Sequence, residues 1–361
     1  MIETQTGGQK QLYMSQLDSL RAIAVILVII SHWFSGEHFF NRYTANGTLG
    51  VTLFFVLSGF LITGILLKSK SHIEKSGNVA KAFMTFYIRR SLRIFPVYYL
   101  LLIVLVFLNS SAIRESFWWH FFYGSNFFFW LKGEFGGHLS HFWSLAVEEQ
   151  FYLVWPAVII FVNRKYLPLA LVLGIVGAIL FRYFITTPQN ELGRILMPGS
   201  LDSFCLGGLL VYGKQSGAFL YQRYLKKRKL FLTGSFLLLF LVHTVYFKSL
   251  SLQLHTALFY FFISVSFAGI IDRVADTIYT PVIAWILNNR ALLYIGKISY
   301  GIYLFHNFIP YFYGMDLPGI PASLSLYTVQ VLRFLLLVGI SSLSWFLFEK
   351  PVLQLKKRFE Y

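Results

Sequence analysis

Ten stretches of the chain are apolar over lengths that suggest membrane-crossing helices: roughly 17–35, 48–67, 94–109, 141–162, 166–185, 200–213, 230–247, 254–271, 298–313 and 324–348. A span needs about 20 mostly apolar residues to cover the ~30 Å hydrocarbon layer. The shorter and more polar stretches are tolerable where the backbone faces protein or a cavity rather than lipid. One further apolar stretch, FWWHFFYGSNFFFWL (117–131), is interrupted by Gly124, Ser125 and Asn126. A full span there would break the charge topology below, so it is expected to be re-entrant or interfacial. The pattern predicts an all-α, polytopic membrane helix bundle of about ten transmembrane helices, forming a single membrane-embedded domain over 1–361.

Composition agrees. Of 361 residues, 57% are apolar, 19% aromatic and only 13% charged, against roughly 45–50% apolar and ~25% charged in soluble domains. A water-soluble globule and a disordered chain are excluded. The net charge of +16 informs only through its placement. Lys10, Arg21, the Lys68–Arg93 run, Arg164, Lys165, the Lys214–Lys229 run, Arg273, Arg290, Lys297 and the Lys350–Arg358 run fall on one side of an N-inside topology. Arg42, Arg114, Lys132, Arg182, Arg194 and Lys248 fall on the other, and Arg333 lies within the last span. That is twenty-four against six, so both termini are expected in the cytoplasm, and the basic excess does not call for nucleic acid. Cys205 is the one cysteine, which excludes an intramolecular disulfide and a cysteine-based metal site. The N-terminus (MIETQTGGQKQLYMSQ) is polar without a cleavable signal pattern, leaving targeting to the first span.

Ionisable groups inside a membrane are functional candidates by default. Arg21, His32, Glu148, Glu149, Asp202, His306 and Arg333 meet that criterion. Arg21 and His32 are 11 residues apart, so they share one helical stripe at levels roughly 16 Å apart. Asp18, at i−3, can neutralise Arg21; Arg21 could otherwise snorkel, and His32 could be a satisfied core histidine. His141, Ser144, Glu148, Tyr152 and Trp155 form a second stripe, with Glu149 pointing about 100° away. One of the two carboxylates could orient or deprotonate a histidine while the other pairs structurally. Asp202 reads as an N-cap of its helix or as a site residue. His306 either packs within the bundle or lines the same cavity as His32. Arg90 and Arg93, one turn apart in RRSLRIFP, suit phosphate as guanidinium forks, or serve as positive-inside anchors. Trp118, Trp119, Trp130 and Trp143 crowd the outer face as an interfacial belt or as a platform for a sugar ring. His138 and His141 have metal-like spacing, but no metal is expected from two such ligands.

These motifs together resemble the acyltransferase-3 family of membrane acyltransferases, which includes O-antigen and nodulation-factor acetylases. The resemblance runs through LDSLRAIAVILVIISH (17–32), GVTLFFVLSGFLIT (50–63), RRSLRIFP, HFWSLAVEEQFYLVWP (141–156), LDSFCLGGLL (201–210), ISYGIYLFH (298–306) and FEKP (348–351). The chain departs at Thr52, where many relatives carry Asp, and no appended hydrolase-like domain is expected. The resemblance implies a ten-span enzyme of the inner (cytoplasmic) membrane. It would move an acyl group, usually acetyl, from cytoplasmic acyl-CoA to a hydroxyl of a cell-surface or lipid-linked glycan. By position, Arg21 and His32 are its Arg-x10-His pair, Glu148 the acid of WSLAVEEQ, and Arg90 and Arg93 its RxxR motif. His32 is then the expected general base, Glu148 its tautomer-fixing partner, and Arg21 a group meeting the donor. Arg90 and Arg93 would bind the phosphates of acetyl-CoA. His141, Trp143, Ser144, Glu149, Tyr152, Asp202 and His306 are the expected substrate-binding set. The alternative is a transporter or flippase for a lipid-linked sugar or polysaccharide precursor, its buried charges lining a path; no internal repeat supports it.

Overall fold

The computed structural model describes residues 14–108, 111–246, 250–313 and 325–359. Its regular structure is helical, and no strand occurs among the described residues. Lys10 and Lys248 of the charge map lie outside them, with the polar N-terminus through residue 13.

Seven helical segments are long and apolar enough to cross a membrane: Gln16–Trp33, Asn46–Lys75, Val79–Phe107, Gly137–Phe161, Leu167–Ile185, Leu252–Ala275 and Leu326–Arg358. Three of the ten expected spans fall short for separate reasons. Leu201–Ser216 has 16 residues, about 24 Å of helix. The stretch 230–247 forms the second half of Phe219–Tyr246, whose first half carries Arg223 and Lys226–Lys229, and its end lies outside the described residues. The stretch 298–313 is broken into Ser299–Phe305 and Phe308–Tyr313, with His306 and Asn307 at the break. The stretch 117–131 falls in the helices Ser111–Phe121 and Ser125–Lys132, of 11 and 8 residues. Neither can cross a bilayer, and Tyr123, at φ 51°, breaks the path between them.

The Asn46–Ser76 helix is the centre of the bundle. Of its apolar window 72% is buried, against 22% for Leu167–Ile185 on the periphery. Small residues make that position possible. A Cβ on Gly59 would stand 2.1 Å from the Phe204 carbonyl oxygen, and one on Gly207 2.2 Å from that of Val56. The backbones of Asn46–Ser76 and Leu201–Ser216 therefore touch, and a 16-residue helix is held inside protein instead of facing lipid. Outward-facing Leu153, Phe161, Leu173, Phe184 and Leu335 are exposed, as a lipid-contacting surface requires.

Gly77, with φ 72°, ends the central helix, and the Asn78 side chain caps the next by accepting from the Lys81 N–H at 2.9 Å. This tight turn brings the Lys68–Lys75 run and Arg89–Arg93 toward one end of the bundle. Arg164 pairs with Glu74 there at 2.9 Å, and Lys70 donates to the Ile159 carbonyl at 3.0 Å. At the Leu201–Ser216 C-terminus, Lys214 reaches Asp272 at 3.2 Å and also pairs with Asp276. The same end thus carries most of the cations, several of them held by acceptors.

Candidate functional site

His32 stands in the last turn of Gln16–Trp33, exposed at the wall of a cavity of about 150 Å³. Its Nδ1 lies 3.1 Å from the Val28 carbonyl oxygen and 3.1 Å from His306 Nε2. These contacts fix the protons, because a carbonyl can only accept. His306 Nδ1 is 2.7 Å from the Tyr303 carbonyl oxygen and must carry hydrogen, so its Nε2 is bare. His32 Nδ1–H donates to that Nε2 and to Val28. His32 Nε2 is left with its lone pair, unbonded among the described residues, on a ring that faces the cavity.

The surrounding network holds this relay rigid. Trp33 donates its indole N–H to the His306 carbonyl at 3.0 Å, and the Gln330 amide donates to the Trp33 carbonyl at 2.9 Å. Arg333 donates to Gln330 at 3.4 Å, which links the last span to the cluster. His141 donates from Nε2 to the Leu304 carbonyl at 3.2 Å and accepts at Nδ1 from Asn307 at 3.4 Å. Its ring centre is 4.7 Å from that of His306. The helix break at His306–Asn307 lets both side chains turn inward. Trp143, Thr52, Arg194 and Asp202 complete the cavity wall.

A second cavity, of about 260 Å³, opens toward the cation-rich end. Arg21, Arg90, Arg93 and Lys356 line it together with Ser58, Glu148, Glu149 and Tyr152. Arg21 is paired with Asp18, as the i−3 spacing predicts. Glu148 accepts from the Ser58 hydroxyl at 2.9 Å and faces the charges of Arg90, Arg93 and Arg21. Arg90 lies over the Phe86 and Tyr152 rings, 5.8 Å from each centre. Glu149 Oε1 is buried without a hydrogen-bond partner among the described residues. Val51, Phe55 and Tyr303 line both cavities, so the two chambers lie back to back. Tyr303 is pinned in the partition by a hydroxyl–hydroxyl bond to Ser144 and by donation to the His141 carbonyl at 3.1 Å.

This geometry corrects two expectations. Glu148 does not touch His32: seven residues along a helix from His141 is about 10 Å of rise, which carries the carboxylate past the partition into the other chamber. The group that fixes the His32 tautomer is His306. Arg21 and His32 are divided in the same way, one per cavity on one stripe. Asp202 is neither a simple cap nor a free site group. Both its carboxylate oxygens take the Arg182 guanidinium, at 2.9 and 2.6 Å, with both side chains fully buried. Arg182 also donates to the Gly199 and Ala257 carbonyls at 2.6 and 3.1 Å, so it is a structural group and not a loop cation. Its place in the last turn of Leu167–Ile185 was the available signal. Ser58, Asn307 and Lys356 were missed as well, since each gains its role only from helices distant in sequence. Among the described residues no group of three or more His, Cys, Asp and Glu side chains could hold a metal ion.

Comparison with known proteins gives one family. Residues 14–349 match the family model described as an acyltransferase domain. Peptidoglycan O-acetyltransferase OatA of Listeria monocytogenes is 33% identical over 181 residues, which is 45% of this chain and 27% of that protein. Putative peptidoglycan O-acetyltransferase YrhL of Bacillus subtilis is 29% identical over 82% of this chain and 49% of its own. O-acetyltransferase OatA of Staphylococcus aureus strain NCTC 8325 is 27% identical over 94% and 57%. The chain thus spans less than two thirds of each of these relatives. No solved structure matches it.

Proposed function

Because this chain belongs to the acyltransferase-3 family of acyltransferase domains, we propose that it is a multi-pass membrane O-acetyltransferase that passes acetyl from a cytoplasmic donor to a glycan hydroxyl outside. The 24-to-6 cation split supports both termini on the cytoplasmic side of the inner membrane, with ten crossings once the short Leu201–Ser216 helix, Phe219–Tyr246 and the broken 298–313 segment are added to the seven. The larger chamber then opens inward. Its Arg21, Arg90 and Arg93 suit the phosphates of acyl-CoA, because guanidinium forks match phosphate geometry. The names of the OatA and YrhL relatives support peptidoglycan as the acceptor, in preference to a lipid-linked sugar.

The observation that carries this reading is the bare Nε2 of His32, open to the outer chamber directly behind the partition. A sugar hydroxyl is a poor nucleophile at neutral pH and needs a base of matched strength. His32 Nε2 takes the hydroxyl proton as the oxygen bonds to the thioester carbonyl carbon. The C–S bond then breaks, the proton passes from His32 to the departing sulfur, and ester and thiol result. His306 and the Val28 carbonyl hold the imidazole through Nδ1–H in both charge states, a role filled by a carboxylate in serine-protease triads. Trp143 and His141 border the acceptor, and Glu148, with Ser58, orders the arginines of the donor chamber.

Mass spectrometry of cell-wall glycan tests the assignment. A strain lacking the gene is expected to lose an acetyl ester from otherwise intact, normally exported polymer, and complementation to restore it. Loss of the polymer itself from the surface, with acetylation unchanged on what remains, would favour the transporter.

A further inference from the structure

The last span does not end as a plain helix. After a π-helical turn at Trp345–Glu349 it tightens into the 3₁₀ turn Leu355–Arg358. The three basic residues of that turn part company. Lys356 lines the 260 Å³ donor chamber with Arg21, Arg90 and Arg93, while Lys357 and Arg358 line a separate, shallower groove with Lys81. Arg89, from the Val79–Phe107 helix, donates to the Lys356 carbonyl at 3.1 Å and the Phe359 carbonyl at 2.6 Å. The backbone of the turn is thereby tied across the chamber mouth.

The acids of this chamber are taken up by its arginines, Glu148 facing Arg90, Arg93 and Arg21. Arg21 has Asp18, and Arg93 faces Glu349. The charges facing Lys356 are Arg93, Arg90 and Arg89, all cationic, and its ammonium has no hydrogen bond or ion pair among the described residues. Like charges gathered in a half-buried site repel one another unless an anion enters. A flexible ammonium beside two rigid guanidiniums is a fitting set for more than one phosphate group.

We propose that Lys356 is a binding residue for the phosphates of the donor, and that Arg89 is a positioning residue which locks the 3₁₀ turn over the chamber. The inference rests on the donor reading above for the identity of the ligand, a nucleotide-bearing thioester. It does not depend on it for the existence of an anion site.

The test is calorimetric titration of the full-length protein in nanodiscs with coenzyme A and, separately, with inorganic pyrophosphate. Lys356→Ala should bind both about tenfold more weakly, the scale set by losing one charge-assisted contact. Lys356→Arg should recover most of the affinity, and Lys357→Ala should match the wild type. Arg89→Ala should weaken binding comparably, and the double variant Arg89→Ala/Lys356→Ala no further, because both lose the same contact. An unchanged melting profile for each variant keeps folding out of the comparison. Wild-type affinity in Lys356→Ala, with coenzyme A bound, overturns the proposal and leaves the donor reading standing. Binding of pyrophosphate but not coenzyme A, weakened in Lys356→Ala, upholds the anion site and removes the donor reading. Binding of neither probe by the wild type overturns both.

Discussion

His32→Asn should abolish acetyl transfer while leaving the protein at its normal level in the membrane. The asparagine amide nitrogen can take the place of Nδ1, so the bonds to the Val28 carbonyl and His306 Nε2 can persist. The lone pair that Nε2 offers the acceptor hydroxyl is gone. General-base assistance is worth about 10²–10⁴-fold, so ester formation by purified protein should fall by at least about 100-fold. His32→Ala should be equally inactive. Since the ring is exposed at the cavity wall, its truncation costs little packing. Substantial turnover in His32→Asn would mean that the imidazole only holds its neighbours in place, and the base would have to be sought elsewhere.

Asp202→Asn should be disabling for a different reason, through stability. The substitution strands a fully buried guanidinium that also binds the Gly199 and Ala257 carbonyls. Removing one partner of such a pair costs about 3–5 kcal/mol, a large part of a typical domain stability of about 5–15 kcal/mol. Solubilised Asp202→Asn is expected to aggregate on size-exclusion chromatography or to melt well below the wild type. Arg182→Met with Asp202→Leu should regain part of the loss, because a buried ion pair is often replaceable by apolar groups of similar volume. Asp202 lines the outer chamber, so a contrary result has a clear meaning. A monodisperse Asp202→Asn with the wild-type melting temperature and no transfer would make the carboxylate an acceptor-binding group, as its position in LDSFCLGGLL first suggests.

What the sequence made legible was the face of each helix, and what it hid was depth and partnership. Periodicity put His141, Ser144, Glu148 and Tyr152 on one stripe, and all four do point into the interior. Their levels differ by about 1.5 Å per residue, and the partition at Val51, Phe55 and Tyr303 falls between His141 and Glu148. No pattern within one helix could reveal a wall supplied by two others. The Asp18–Arg21 pair was legible because both partners share a helix turn, whereas Arg182–Asp202 joins two helices and required the fold. The break that brings His306 and Asn307 to His32 and His141 joins three segments distant in sequence, which no single apolar run displays. Spans of ordinary length were readable from apolar runs. Leu201–Ser216 fell short because its glycines let it shelter against Asn46–Ser76, where the lipid thickness sets no minimum.

On the proposed reading, with His32 in one chamber and the arginines in the other, donor and acceptor come from opposite faces of the bilayer. The direct measurement uses proteoliposomes in which the protein orientation has been established by protease accessibility of the termini. Radiolabelled acetyl-CoA is confined to the face bearing Arg90, Arg93 and Lys356, with a soluble peptidoglycan fragment confined to the other. Labelled ester on the far side, absent in His32→Asn vesicles and absent when the donor is moved to the acceptor face, is the expected result. Ester formed only when donor and acceptor share one face would contradict transfer across the partition.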